Sequence, residues 1–337
     1  MTFIGEPLRT IKIHCWGGLG SQMYAWALFE RLQNKFPNKN FKLIFHTGGV
    51  TKRLPDLESL FAKNEKDFVQ DFESSDNSNS GKSQNKKLGS TIKKSFTREI
   101  KQVLISTGFA ASVNNEFEFS KLKPWVISVR GHYSELRIDL ETILLMKTRA
   151  EKSGNNFKIN LKQNKEIDVL HFRLGDLLSL AEKSPIDTIR ITNAIQEAKA
   201  GRTRVLWVLS DSPSQAVELL QREDPEIRVK LDDGSLDAWQ SLIAMSNANI
   251  FIGTNSKLSI WAIIFRALIL KEAPSYISTE VKHHVVANLA EPELLGVHFY
   301  YEIQWETIRA LSICRINKFF LTAHFQHDKS HQSLLDH

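Results

Sequence analysis

The second half of the chain alternates short apolar runs with segments of helical periodicity, and this alternation constrains the fold more than any other feature. The apolar runs fit buried strands, and the segments between them repeat apolar residues at helical spacing. Strands that alternate with helices predict a parallel, doubly wound sheet with helices on both faces. The chain is therefore expected to be an α/β protein. The elements predicted here, in turn, cover residues 167–171, 187–200, 205–209, 213 onward, 236–246, 250–253, 258–270 and 302 onward.

The first half opens with a unit of the same kind. Residues 11–15 alternate like a strand, Gly17-Gly18-Leu19-Gly20 breaks the strand, and a helical period begins at Ser21. Further elements predicted in this half are strands at 41–45 and 126–129 and a helix at 134–149. The polar stretch 153–164 has the composition of a linker. The predicted domains are therefore 1–157 and 158–337, each Rossmann-like.

Composition narrows the function classes. The chain has 337 residues, 42% of them hydrophobic and 24% charged, which suits a globular protein of two domains. Its net charge is +6, and the tightest lysine pairs fall in 74–95, a Ser-, Asn- and Lys-rich stretch predicted to be a disordered loop. A nucleic-acid partner is therefore not expected. Two distant cysteines and a short apolar segment interrupted by Arg266 predict a cytoplasmic, soluble protein, at most peripheral to the inner membrane face.

Four loops follow predicted strands, at the sheet edge where α/β proteins bind ligands. The glycine loop at 17–21 lets a ligand approach the backbone, although it matches neither the dinucleotide fingerprint nor a P-loop. Arg173, in His171-Phe172-Arg173-Leu174-Gly175-Asp176, offers a planar cation suited to phosphate oxygens. Asp211 offers a carboxylate, and residues 254–259 begin a helix that can seat an anion. Each loop also has a purely structural interpretation, as a turn, an ion pair of Arg173 with Asp176, or a helix cap.

Taken together and in order, these segments resemble the α-1,2-fucosyltransferase family. Gly17-Gly18-Leu19-Gly20-Ser21-Gln22-Met23 resembles its GGLGNQM segment, and residues 171–176 resemble its HxRxGD motif. Leu209-Ser210-Asp211 is similar to its FSDD region, and residues 237–262 are similar to its D…LMS…NSSFSWWA block.

The resemblance implies a GT-B fold of two facing Rossmann-like domains, with the acceptor on the N-terminal side. It also implies inverting transfer of fucose from GDP-fucose to a hydroxyl of a glycan, in surface polysaccharide synthesis, without a metal or cofactor. The acceptor can be free or lipid-linked. Ser21, Lys257 and Ile260 depart from the family pattern. Two alternatives therefore stay open: transfer of another GDP-deoxysugar, and a nucleotide-sugar-binding protein without catalysis.

Motif positions supply the candidate site residues except His14, which lies at the end of the first predicted strand beside the glycine loop, and Glu182 of the other half. No metal site is predicted, because Asp232-Asp233-Gly234 fits a turn and His283-His284 fits a surface pair. Arg173 is expected on the donor's β-phosphate, and the candidates for a catalytic base are His14, Asp176 and Glu182, with transfer to water or diphosphate as the remaining option. The predicted nucleotide-sugar contacts are Gly18, Gly20, Ser21, Gln22, His171, Arg173, Asp211, Asp237, Asn255 and Ser256.

Overall fold

The computed structural model describes most of the two predicted halves. The predicted loop 74–95, Asp176, Glu182 and the helix predicted from residue 302 onward lie outside the described residues. The described residues are 10–47, 55–69, 109–115, 118, 122–123, 125–153, 157–174, 188–232, 234–271 and 273–300.

The N-terminal half forms a five-stranded sheet in the order β3-β2-β1-β5-β4, and every strand pair is parallel. Helix α1 connects β1 to β2, and helix α2 packs against α1. The elements are β1 Ile11–Cys15, α1 Leu19–Lys35, β2 Phe41–His46, β3 Lys66–Val69, β4 Ala110–Ser112, β5 Ser128–Arg130 and α2 Leu140–Lys152.

The C-terminal half forms a six-stranded parallel sheet in the order β11-β10-β9-β6-β7-β8. Counted from its own first strand, this is the 3-2-1-4-5-6 order of the Rossmann fold, with the direction of winding reversing between β6 and β9. The predicted fold class, α/β with two Rossmann-like sheets, is confirmed. The elements are β6 Ile167–His171, α3 Thr188–Glu197, β7 Val205–Leu209, α4 Pro213–Glu223, β8 Val229–Leu231, α5 Ala238–Asn247, β9 Phe251–Gly253, α6 Lys257–Phe265, β10 Ser275–Ser278, α7 Lys282–Asn288 and β11 Val297–Tyr300.

Two predicted helices differ from the structure, one in where it begins and one in its helix type. The helix predicted over 134–149 begins only at Leu140, because Asp139 caps it by accepting a hydrogen bond from the Thr142 backbone N–H at 2.8 Å. The helix predicted over 258–270 is α-helical only to Phe265 and continues as a π-helical turn. In that turn, buried Arg266 donates hydrogen bonds to carbonyl oxygens that include those of Ala248 and Pro274. Burial lowers the pKa of Arg266 to about 9.

One apolar cluster spans both halves, and α1 packs against α6 within it. Gly20 of α1 lies so close to α6 that an added Cβ would come within 2.7 Å of the Leu258 backbone nitrogen. The Trp261 indole N–H donates to the Gly20 carbonyl at 3.0 Å, and the Trp261 ring packs on Tyr24. Among the described residues, none of the helices has the length and apolar character that crossing a membrane requires. The domain boundary at 157/158 stays a prediction.

Candidate functional site

The ends of β6 and β9 lie side by side where the C-terminal sheet reverses its winding. His171 is paired with Gly253 in the register of these two strands. The next residue after β9, Thr254, donates its backbone N–H and its hydroxyl to the His171 carbonyl, at 3.2 and 3.0 Å. The same hydroxyl oxygen accepts the Arg173 backbone N–H at 3.2 Å. Thr254 therefore fixes the path of the chain after β6 and keeps Arg173 at the crevice where Rossmann-like sheets bind ligands.

Asp211 connects the end of β7 to this crevice. Its carboxylate accepts the backbone N–H of Leu174 at 2.8 Å, so it holds the chain just after Arg173. The proposed contact of Asp211 with a nucleotide stays a prediction, but the structure brings it and Arg173 to one strand edge, as predicted from the sequence.

The start of α6 lies at the same edge, because β9 ends at Gly253 and α6 begins at Lys257. Ser256 is the N-cap, and its buried hydroxyl accepts the Leu258 backbone N–H at 3.2 Å. Asn255 donates its amide to the Glu280 carboxylate at 2.7 Å. Both side chains thus have structural partners, while the helix N-terminus itself offers backbone N–H groups and a favourable dipole to an anion.

His171 is fixed within this edge. Its Nδ1 lies 2.7 Å from the Ser259 hydroxyl oxygen. Burial, aided by the Arg173 charge, lowers the pKa of His171 to about 4. The ring is therefore neutral at pH 7 and can orient neighbours by hydrogen bonding, without adding charge.

The glycine loop is shaped mainly by contacts within the protein. Gly17 has a φ of +81°, which favours glycine. Buried Gln22 donates to the Gly17 carbonyl at 2.9 Å and accepts the Leu57 backbone N–H at 3.1 Å. Gly18 is the N-cap of α1, and Ser21 lies half-buried in its first turn. Gln22 and Gly20 consequently have clear packing roles, and their proposed ligand contacts stay predictions.

The matching edge of the N-terminal sheet carries a stack of three aromatic rings. Nδ1 of His14 lies 2.8 Å from Nε2 of His46, and the Trp16 ring stacks on His46 with centroids 4.3 Å apart. Burial, with Arg130 and His46 nearby, lowers the pKa of His14 to about 3. Sequence reasoning missed Trp16 and His46. The period-2 pattern of β1, which places His14 and Trp16 on one face, was the available signal.

Sequence reasoning treated Lys257 only as a departure from the family pattern. It is the first residue of α6 and is half-buried between the two halves, within electrostatic reach of Cys15 and His284. Burial lowers the pKa of Lys257. A helix N-terminus also disfavours a cation. Burial and the helix dipole therefore both disfavour the charged form of Lys257 when no anion is bound.

Asp237 lies at an exposed helix start. Its carboxylate accepts the Gln240 backbone N–H at 2.7 Å, and the Gln240 side chain accepts the Asp237 backbone N–H at 2.9 Å. This reciprocal capping box explains the residue by local structure alone. Asp233 lies outside the described residues, so the acidic turn at 232–234 is only partly described.

Comparisons with known proteins add information on the fold alone. No protein-family model and no curated protein matches the chain. Similar solved structures include the E. coli heptosyltransferase WaaC with ADP, at 9% identity and a TM-score of 0.38, covering 87% of this chain and 93% of that one. POFUT1 in complex with GDP is 13% identical with a TM-score of 0.37, covering 81% and 98%. A family 9 glycosyl transferase from Veillonella parvula is 12% identical with a TM-score of 0.36, covering 92% and 89%. At these values the likeness assigns no function.

Proposed function

We propose that the protein is an inverting glycosyltransferase that moves fucose from GDP-fucose to a hydroxyl group of a glycan. The observation that carries the proposal is the meeting of Arg173, Asp211 and the start of α6 at the winding reversal between β6 and β9. Sheets of this topology bind ligands at that crevice. The order of the motifs at these strand ends, and their resemblance to the α-1,2-fucosyltransferases, supports the choice of donor.

The donor's diphosphate is the part that these groups suit best. Breaking the sugar–phosphate bond leaves negative charge on the departing GDP, and fixed donors aimed at that charge lower the barrier. We assign this role to the Arg173 guanidinium and the N-terminus of α6. Lys257 adds an ammonium at the same helix start, and an anionic ligand would offset both the burial and the dipole that oppose its charge.

The acceptor is assigned to the N-terminal sheet. Trp16 and His46 present stacked rings at its carboxyl edge, and Trp16 is only partly buried. Aromatic faces suit the apolar C–H faces of a sugar, while imidazole nitrogens supply hydrogen bonds to its hydroxyl groups. These rings therefore suit the surface to a glycan, with the Arg130 charge close to His14 at the same edge.

An inverting transfer also needs a group that accepts the acceptor's proton. Efficient general bases have pKa values near the working pH. The pKa of His14 is about 3, so His14 is poorly matched to this task and is better suited to orienting the acceptor. Asp176 and Glu182, which lie outside the described residues, stay the candidates, together with transfer to water or to the departing diphosphate.

Nucleotide binding provides the first test. We expect GDP, but not ADP or UDP, to raise the unfolding temperature, since a ligand at 100 times its dissociation constant stabilises by about 2.7 kcal/mol. GDP-fucose should then release GDP when a glycan acceptor is present. GDP binding without turnover across donors and acceptors would favour the binding-protein alternative. Turnover with a different GDP-deoxysugar would correct the donor, and absence of GDP binding would reject the proposal.

A further inference from the structure

Three potential metal ligands converge between the two halves of the protein. One carboxylate oxygen of Glu135 and one ring nitrogen from each of His283 and His284 all lie within 4.8 Å of one another. Ligand atoms bound to Zn²⁺ at about 2.0–2.2 Å lie about 3.3–3.6 Å apart in a tetrahedron. A shift on the order of 1 Å in each side chain therefore brings all three within bonding distance.

One ring nitrogen in this cluster has no hydrogen-bond partner among the described residues. Nδ1 of His284 is buried, and no partner for it is found in the part of the chain that the structure describes. Leaving a buried polar nitrogen unsatisfied costs free energy, so such an atom calls for an explanation. A bound cation that engages the imidazole pair supplies one.

A buried side chain of α7 links the segment around Glu135 to the helix that carries the two histidines. Asn288, in the same helix as the two histidines, donates its amide to the carbonyls of Ser134 and Leu136, at 3.1 and 2.7 Å. These two carbonyls flank Glu135. The Asn288 side-chain oxygen accepts the Tyr24 hydroxyl at 2.6 Å, which fixes the amide's orientation. Glu135 is thus held against α7 without using its own carboxylate for that purpose.

The chain that leads to Glu135 adopts unusual backbone conformations. Tyr133 has a φ of +54°, a left-handed value that is uncommon for a bulky residue. Gly131 packs so tightly that an added Cβ would lie 2.1 Å from the Val113 carbonyl oxygen. The Tyr133 hydroxyl anchors the turn by donating to the His14 carbonyl at 2.7 Å. Strained conformations of this kind persist where the surrounding structure fixes them, and they are enriched at functional sites.

We propose that Glu135, His283 and His284 bind a divalent transition-metal cation of the Zn²⁺ type, which links the segment after the N-terminal sheet to α7 of the C-terminal half. Two imidazoles and one carboxylate form a ligand set that suits Zn²⁺ and its close substitutes, with the remaining position left to water. The prediction from the sequence treated the two histidines as a surface pair, because Glu135 is distant from them in the chain. None of these three ligands is among the proposed donor contacts, although Lys257 acts electrostatically on His284.

Cobalt provides a direct probe, because Co²⁺ in such a site absorbs visible light. The full chain, stripped with a chelator, is titrated with Co²⁺ and then with competing Zn²⁺. We expect one equivalent to give the visible band and Zn²⁺ to displace it. Glu135→Gln and His283→Gln should each weaken binding at least about tenfold, since even changes at residues that only support metal ligands cost 10–100-fold. The His327→Gln/His331→Gln double variant, which removes histidines from the C-terminal sequence, is the matched control and should keep the band.

Replacing Lys257 should change metal affinity in the opposite direction. Its positive charge acts on His284, so Lys257→Met should strengthen metal binding by relieving repulsion. The proposal is overturned if no band appears, if both ligand variants retain wild-type affinity, or if the control alone loses the band. Should Glu135→Gln fail to fold, the result for His283→Gln decides the test, because His283 is exposed. A cobalt band without GDP binding would reject the proposed glycosyl transfer and leave the metal site standing.

Discussion

The carboxyl edges of the two sheets have similar topology but carry different kinds of side chain. In each sheet the first three strands lie in the order 3-2-1, and the winding reverses beside the first strand, at β1 and β5 in one half and at β6 and β9 in the other. The C-terminal edge collects Arg173, Asp211 and the start of α6. The N-terminal edge collects the rings of Trp16 and His46 beside His14.

This difference shows which part of function the fold supplies. Parallel strands with reversed winding produce a crevice in both halves, whatever side chains line it. The proposed function divides the work between the side chains, with a cationic edge suited to a diphosphate and an aromatic edge suited to a sugar. Substitutions that affect one edge without the other are the sharpest tests of this division.

The largest effect is expected at Arg173. Arg173→Ala should remove at least about 2–3 kcal/mol of transition-state stabilisation, which lowers turnover roughly 100-fold. The loss of one hydrogen-bond donor to a developing anion has an effect of this size. Arg173→Lys keeps the charge but loses the planar fork, so it should remain badly impaired. Steady-state kinetics at saturating acceptor measure both. Arg222→Ala, at an exposed arginine of α4, is the control and should behave as wild type. Near-normal turnover of Arg173→Lys would remove the phosphate role from the cationic edge.

The junction between the two edges is tested by Gly20→Ala. Alanine normally stabilises a helix relative to glycine by about 0.5–1 kcal/mol. At Gly20 the new methyl group would meet backbone atoms of Leu258 and Lys257, so α1 and α6 must separate. We expect a net loss of about 1–3 kcal/mol in the free energy of unfolding, measured by urea denaturation. Ser21→Ala, one residue along α1, should change it little. A more stable Gly20→Ala would show that the two halves do not depend on this contact.

The Arg173 test rests on a motif visible in the sequence, whereas the Gly20 test rests on a packing contact visible only in the structure. The first unit of each half was predicted well because strand and helix periods are local: β1, β6 and β7 have the predicted bounds. Four strand-end groups, among them Arg173 and Asp211, were predicted to converge because parallel topology brings strand ends together.

What the sequence could not supply were contacts set by packing between distant segments. The role of Gly20 depends on α6, more than 230 residues away, and His46 reaches His14 only through the β1–β2 register. Strands β8, β10 and β11 are short, with three or four residues each, and were not predicted. The sequence predicted a helix over residues 134–138, but hydrogen bonds from the Asn288 side chain hold this backbone in a non-helical conformation.

Both edges also carry a histidine that folding keeps neutral, and this shared feature predicts acid sensitivity. The pKa of His14 is lowered to about 3 and that of His171 to about 4. The unfolded chain therefore binds more protons below pH 6.5, so stability is complete above that pH and falls as the pH drops toward 4. His171 should contribute a slope of up to ~1.4 kcal/mol per pH unit. Unfolding free energies from pH 7 to 4.5 should fall less steeply in His171→Gln and in His14→Gln. An unchanged slope in both variants would contradict the neutral, buried state of these rings.

The aromatic edge is tested by Trp16→Ala. Losing the ring should raise KM for the acceptor roughly tenfold, about 1.4 kcal/mol, because ring contacts of this kind contribute on that scale. GDP affinity should not change, since the proposed function places the diphosphate on the other edge. Trp16→Phe should recover most of the loss, and Trp125→Ala, at an exposed tryptophan of the same half, should have no effect. A parallel loss of GDP affinity in Trp16→Ala would show that the two edges do not divide donor from acceptor.

The smallest effect concerns Asp237, where a cap and a ligand contact compete as explanations. Asp237→Ala removes the cap of α5 and should cost about 1 kcal/mol of stability. Asp237→Asn keeps the cap, since asparagine caps as well as aspartate, so its unfolding free energy should stay within a few tenths of wild type. If the carboxylate also contacts the nucleotide, Asp237→Asn should still weaken GDP binding about fivefold, the scale of one hydrogen bond near 1 kcal/mol. Calorimetric titration of GDP into both variants separates the two roles, because the asparagine variant changes the charge and leaves the helix start intact. Wild-type GDP affinity in Asp237→Asn would reduce Asp237 to a cap and confine nucleotide recognition to the ends of β6, β7 and β9.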